Sequence, residues 1–166
     1  HGPRTTDHGP RTTDHGLWPP VTRNPYNPIP KNMKQIFLNL PVTDLQKSMD
    51  FYSAMGFVNN PQFSDDTAKC MVWSENIYVM LLNHEKFSSF TDKPITDTKS
   101  KIAGLFSLSL DSIEEVHQMM DNGLKAGGVE PNEMRDYGFM TQRTIEDFDG
   151  HTWEIFFMDM SKFPTE

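Results

Sequence analysis

The chain has 166 residues, a formal net charge of −8 and a single cysteine. This length is enough for one domain with a hydrophobic core. Residues 1–32 hold four basic and two acidic side chains, so the remainder carries −10. An acidic surface repels nucleic-acid phosphates, and no apolar run approaches the ~18 residues of a membrane helix. We therefore expect no nucleic acid or membrane partner, and a cytoplasmic location.

The first 32 residues differ from the rest in composition. Residues 1–7 are repeated as residues 8–14, and five prolines lie between residues 17 and 30. Proline excludes helix interiors and central strands. We interpret residues 1–32 as a non-native or disordered-type proline-rich leader, and residues 33–160 as one folded domain.

This domain begins with a strand and then a helix that ends at a glycine. Residues 36, 38, 40 and 42 are aliphatic and alternate with a phenylalanine, an asparagine and a proline, which is typical of a strand with one buried face. Thr43 and Gln46 have the spacing of a helix capping box, and Gly56 follows the last helical position. The expected elements that follow are a short strand near 57–63, a hairpin over 68–73 and 77–82, one helical turn at 84–90 and a connecting segment at 91–101.

The strand and helix recur 68 positions further along the chain. Residues 38–42 correspond to 106–110, and the helix start at Thr43 corresponds to Asp111. Because an internal repeat fixes the architecture, the sequence predicts two units of strand, helix and three strands. In the second unit we expect a helix over 112–126, strands near 129–133, 139–146 and 152–158, and a hairpin turn at Asp149 and Gly150.

The predicted fold class is therefore α+β, with a helix on one face of each sheet. The other face must be covered by the equivalent face of the second sheet, by a partner chain or by a ligand. Strand alternation predicts which side chains lie on these open faces. They are Phe37, Asn39, Leu105, Ser107 and Ser109 on the first strands, with Met80, Glu154, Tyr78, Arg143 and Phe156 on later ones.

Two motifs carry a resemblance to a known family. They are Leu40-Pro41-Val42-x-Asp44-Leu45-x3-Met49-x-Phe51-Tyr52-x3-Gly56-Phe57 and Asp147-x-Asp149-Gly150-x3-Glu154. Together they resemble the vicinal oxygen chelate superfamily, which includes glyoxalase I, bleomycin and fosfomycin resistance proteins and extradiol dioxygenases. The resemblance implies tandem βαβββ modules that form a curled mixed sheet with a U-shaped cleft, outer helices and a homodimer. The modules would span about 33–90 and 102–160, joined by a linker at 91–101.

The resemblance also locates the positions that hold a divalent metal in the family's enzymes. They lie on the first and last strands of each module and fall on Phe37, Met80, Leu105 and Glu154. A catalytic divalent site needs about three protein ligands, and only Glu154 is one. We expect no complete metal site and predict no cofactor, with a divalent metal as the alternative.

Three roles for Glu154 remain open. It could form a structural cross-strand pair with Arg143, orient a ligand, or act as a general base. Tyr137 and Phe139 could form a wall of the ligand cleft, or belong to ordinary core or dimer packing. The candidate cleft therefore comprises Phe37, Asn39, Met80, Leu105, Ser107, Tyr137, Phe139, Arg143 and Glu154, and Glu154 is the candidate catalytic residue.

Three functions are compatible with these residues. The first is a small-molecule binding protein like the bleomycin resistance proteins, with an apolar cleft suited to a cationic or aromatic compound. The second is a metal-dependent lyase resembling lactoylglutathione lyase, or an extradiol-type dioxygenase. The third is a dimeric interaction protein whose cleft is filled by its own side chains. We expect the first, and the sequence does not decide whether catalysis occurs.

Overall fold

The computed structural model describes residues 34–164. The expected leader, residues 1–32, lies outside the described residues. Between residues 34 and 164 the chain forms two four-stranded mixed sheets with α-helices between the strands. The α+β class and the tandem βαβββ modules are therefore confirmed.

Module 1 contains four strands and two helices. Its strand order is β1-β4-β3-β2, with β1 parallel to β4 and the other pairs antiparallel. The elements are β1 (Ile36–Val42), α1 (Leu45–Ala54), β2 (Val58–Asn60), a 3-10 turn (Pro61–Phe63), β3 (Ala68–Ser74), β4 (Ile77–Asn83) and α2 (His84–Ser88).

Module 2 repeats this arrangement. Its strand order is β5-β8-β7-β6, and β5 is parallel to β8 as β1 is to β4. The elements are β5 (Phe106–Leu110), α3 (Ile113–Lys125), β6 (Arg135–Asp136), β7 (Met140–Glu146), β8 (Thr152–Met158) and a final 3-10 turn (Met160–Lys162).

Both main helices begin one residue later than expected. The cap of α1 is Asp44, whose carboxylate accepts a hydrogen bond from the Lys47 backbone N–H at 2.9 Å. The cap of α3 is Ser112, whose hydroxyl accepts from the Glu115 N–H at 3.1 Å. Aspartate and serine are both good N-caps, so adjacent candidate caps made the expected boundary ambiguous by one residue.

The strand expected near residues 129–133 was wrong. Val129 forms only an isolated bridge to Glu146, and the fourth strand of module 2 is the two-residue β6. Pro131 has no backbone N–H to contribute to a ladder, which explains why pairing does not continue beyond the bridge. The chain re-enters the sheet only at Arg135.

One hydrophobic core joins the two modules. The rings of Tyr52 on α1 and Trp153 on β8 meet edge to face at 5.9 Å, and both side chains are buried. The Trp153 indole N–H donates to the Tyr52 hydroxyl at 3.0 Å, so the polar atoms of this contact are also paired. None of the helices that the structure describes is long and apolar enough to cross a membrane.

Candidate functional site

The open face of module 1 is mostly covered by the protein itself. Cys70 and Tyr78 lie on this face, yet they are only 1% and 0% exposed. The Phe37 ring stacks on Tyr78 with centroids 4.5 Å apart, and Phe37 itself stays about half exposed. Helix α2 packs beside β1 and β4. The exposed residues of this face therefore lie towards its edges, at Phe37 and Asn39 on β1 and at Val58 on β2, and Met80 is partly exposed.

The open face of module 2 is polar. Glu154 on β8 lies between Ser107 on β5 and Thr144 on β7. The next row places Ser109 beside Phe156 on the same face. Hydroxyl groups and one carboxylate thus occupy the centre of this sheet, in contrast to the apolar centre of module 1.

Two neutral donors hold the Glu154 carboxylate. The Ser107 hydroxyl donates to Oε2 at 2.6 Å, and the Gln142 amide donates to Oε1 at 2.8 Å. Each carboxylate oxygen can accept about two hydrogen bonds, so both oxygens keep accepting capacity. Among residues 34–164, no basic side chain forms an ion pair with Glu154. The carboxylate is therefore fixed in position without being neutralised.

Arg143 does not lie on this face, so the expected pair with Glu154 was wrong. It is opposite Ile155 rather than Glu154, and its guanidinium donates twice to Glu130, at 2.9 and 2.7 Å. Because five residues separate the paired Glu146 and Thr152, the strand alternation is shifted by one relative to a four-residue turn. Hydrogen bonding to Glu130 raises the pKa of Arg143 further, so this pair stays charged.

The other predicted cleft residues lie on several different elements. Met80 pairs with Asn39 across β4 and β1, the place that Glu154 and Ser107 occupy in module 2. Leu105 is half exposed immediately before β5. Two aromatic residues lie further away along the chain: Tyr137 is half exposed in the turn before β7, and Phe139 packs edge to face against Phe163 at 5.0 Å.

An aromatic groove runs along β1. It has a volume of about 340 Å³. Half of its lining residues are phenylalanine, and Asn39 and Thr91 are the polar ones. The lining includes Phe37 of module 1 and Phe106 of module 2. The full lining is Phe37, Leu38, Asn39, Leu40, Phe87, Phe90, Thr91 and Phe106.

The residues at the family's metal positions do not fit a divalent metal. Phe37 and Leu105 have no donor atom, and Met80 offers only a thioether, which hard divalent cations do not prefer. Glu154 would be the single carboxylate ligand. Within residues 34–164 there is no group of three or more histidine, cysteine, aspartate or glutamate side chains that could hold a metal ion.

Sequence reasoning missed Gln142. It is buried on β7 and makes one of the two hydrogen bonds that fix Glu154. The alternation of β7 would have identified it only if the length of the turn before β8 had been known. A turn with an even number of residues would place Arg143 on the same face as Glu154. The observed five-residue turn places Gln142 and Thr144 there instead.

Comparison with known proteins agrees with the fold. The sequence profile of the Glyoxalase/Bleomycin resistance protein/Dioxygenase superfamily matches residues 34–155. A trivalent organoarsenical cleaving enzyme from Bacillus sp. (strain MD1) is 27% identical over 129 residues, covering 75% of this chain and 73% of the relative.

Two solved structures have the same fold. A hypothetical protein from S. aureus is 26% identical and aligns with 78% of this chain and 95% of its own, with a TM-score of 0.63. A glyoxalase/bleomycin resistance protein/dioxygenase family enzyme from Burkholderia phytofirmans PsJN is 15% identical and aligns with 74% and 96%, with a TM-score of 0.61. The resemblance carried by the two sequence motifs is thereby confirmed. The chain belongs to the glyoxalase/bleomycin resistance protein/dioxygenase superfamily.

Proposed function

We propose that this protein binds a small organic molecule on the open face of module 2, with Glu154 as the polar anchor and without a catalytic metal. One observation carries the proposal. Glu154 is fixed by Ser107 and Gln142 but has no basic partner among the described residues. A held carboxylate with free accepting capacity is a group that can orient a ligand.

Apolar area beside Glu154 comes from Phe156. Small-molecule sites are mostly apolar, with a few placed polar groups that fix the orientation of the ligand. Phe156 lies on the same face as Glu154 and Ser109 and is partly buried. The aromatic groove is a separate feature, because its lining does not include Glu154 and its Phe106 lies on the opposite face of the sheet. A homodimer is expected from the family and would further enclose Ser107 and Ser109, which are exposed on this face.

A metal-dependent lyase or dioxygenase is the alternative. It is favoured by the relative whose name describes cleavage of trivalent organoarsenicals. The donor set argues against it, because Glu154 is the single carboxylate at the four ligand positions and the other three are Phe37, Met80 and Leu105. The third candidate, a self-filled interaction protein, fits the covered face of module 1 but does not explain the polar face of module 2.

Metal analysis and a binding screen on the full chain test the proposal together. We expect no stoichiometric Ni, Zn, Fe or Mn after incubation and washing, and no metal-dependent rise in Tm. In ¹⁵N–¹H spectra, we expect small organic fragments to shift amides at Ser107, Gln142 and Thr144. Stoichiometric metal that is lost in Glu154→Ala would support the lyase or dioxygenase instead, and no fragment shifts at module 2 would contradict ligand binding.

A further inference from the structure

We infer that the ligand carries a positive charge, and that Glu154 selects a protonated amine, amidinium or guanidinium group. This inference rests on the proposed function, since it names the chemical class of the molecule bound at the same face. Three features of the site support it: the hydrogen bonds around Glu154, the charges on the open faces, and the aromatic neighbour on β8.

The hydrogen bonds of Glu154 leave its charge uncompensated. Ser107 and Gln142 are neutral donors, and each occupies one carboxylate oxygen. A ligand that donates an N–H from a cationic group forms a charge-assisted hydrogen bond, which is roughly twice as strong as a neutral one. The remaining accepting positions of Glu154 therefore favour a cation over a neutral donor.

The open faces of the eight strands contain few other charges. Following the register from Glu154, the other acidic side chain is Glu146 on β7, and the single basic one is Arg135 on β6. Arg135 is exposed and lies opposite Gln142, two strands away from Glu154. The balance on these faces is negative, as is the body of the chain, so cations are attracted and anions repelled.

An aromatic ring lies next to the carboxylate. Phe156 is two residues beyond Glu154 on β8, so both side chains are on the same face, and Phe156 is only partly buried. A cationic group beside an aromatic face gains a further attraction that a neutral group does not. Together, Glu154 and Phe156 suit a cationic head attached to a planar or apolar body.

Three matched probes test the charge directly. Benzamidinium, benzamide and benzoate share a ring and differ chiefly in charge, which is positive, neutral and negative respectively. We expect benzamidinium to bind the full chain at least about tenfold more tightly than benzamide, with amide shifts at Ser107 and Gln142, and benzoate not to bind. Raising the salt concentration from 50 to 500 mM should weaken benzamidinium binding and leave benzamide binding unchanged.

Two variants provide the controls. Glu154→Gln removes the charge with little change in shape, and should bring the benzamidinium and benzamide affinities within about twofold of each other. Glu133→Gln removes an exposed charge in the loop before β6 and should leave the ratio unchanged. The comparison of probes on the unaltered protein does not depend on either variant folding.

The outcomes distinguish selection of a cation from ligand binding itself. If benzamide and benzamidinium bind equally well at Ser107 and Gln142, the inference about charge is overturned and ligand binding at module 2 stands. If none of the three probes shifts these residues, both the inference and the proposed function are contradicted. If benzamidinium is preferred equally in Glu154→Gln, another group selects the cation and the role of Glu154 is overturned.

Discussion

The carboxylate of Asp149 in module 2 accepts two hydrogen bonds from Thr43 in module 1, one from the backbone N–H at 3.1 Å and one from the hydroxyl at 2.8 Å. Asp149 is 6% exposed and lies in the turn between β7 and β8. Thr43 immediately precedes the cap of α1, so the carboxylate also lies near a helix N-terminus, where negative charge is favoured. The Asp-x-Asp-Gly motif is thus a brace between modules as well as a turn.

We predict that Asp149→Ala lowers the free energy of unfolding by about 2 kcal/mol, because two charge-assisted hydrogen bonds are lost from a buried site. Asp149→Asn should lose less, because its amide oxygen can still accept from Thr43. Urea denaturation followed by circular dichroism measures both. Equal losses in the two variants would mean that the charge, rather than the acceptor, stabilises the brace.

Asp147 in the same turn makes stability dependent on pH. Burial raises the pKa of Asp147, while electrostatic attraction to His151, and hydrogen bonds from the Tyr52 hydroxyl and the backbone N–H groups of His151 and Asp149, partly oppose this rise. The folded state therefore holds this proton more tightly than the unfolded state does. Its contribution to stability is fully present below the unfolded pKa of about 3.9 and is lost as pH rises through the folded value.

The expected measurement compares the wild type with Asp147→Asn. As pH rises from 4 to 7, the stability of the wild type should fall relative to that of the variant, by at most about 1.4 kcal/mol for each pH unit. Hydrogen bonds lower the pKa values of Asp65, Asp97 and Asp159, so these groups make stability rise with pH. They are present in both proteins, so their effect cancels in the difference between wild-type and variant stability. A constant difference across this range would show that Asp147 does not titrate differently on folding.

The brace between Thr43 and Asp149 illustrates why the sequence predicts the fold better than it predicts contacts between distant residues. The period-2 and helical patterns around residues 36–56 and 106–126 depend on local alternation, and they identified both modules. The partner of Asp149 is Thr43, 106 positions away, and no local pattern links them. The local spacing therefore predicts Thr43 as a helix cap, whereas its hydroxyl donates to Asp149 of the other module.

The face occupied by Arg143 was missed for a different reason. Strand alternation predicts faces within one strand, but the relation between β7 and β8 depends on the number of residues in their turn. Asp149 and Gly150 indicated a turn without fixing its length. One residue of difference exchanges Arg143 for Gln142 beside Glu154, because each step along a strand reverses the direction of the side chain.

Gly150 should tolerate no side chain. Its φ is +86°, and an added Cβ would lie 2.5 Å from the Thr98 backbone oxygen. The Thr98 hydroxyl also donates to the Asp149 carbonyl, so the linker between modules is packed against this turn. We predict that Gly150→Ala lowers the free energy of unfolding by about 2 kcal/mol or more, from the left-handed backbone and the clash.

The matched control is Gly104→Ala, whose Cβ would meet no atom within 4 Å. Its backbone φ is not positive, so we expect a change of stability within about 0.5 kcal/mol. Thermal and urea unfolding of both variants make the comparison. Similar stabilities for the two would imply that the linker moves away from the turn without cost.

Substitutions on the two faces of β7 should have different effects, on ligand affinity at Gln142 and on stability at Arg143. Gln142→Leu removes the amide that holds Oε1 of Glu154 in position, so we predict about tenfold weaker benzamidinium binding because the carboxylate is less preorganised. Arg143→Gln breaks the pair with Glu130 and should lower the free energy of unfolding by about 2 kcal/mol, since the guanidinium side chain is only 13% exposed. Its affinity for benzamidinium should not change, because the guanidinium lies on the side of the sheet away from Glu154. Titration calorimetry and urea denaturation of the two variants test both effects together. If Arg143→Gln weakened binding as much as Gln142→Leu did, the guanidinium would have to reach the ligand, and the register that places it opposite Ile155 would be wrong.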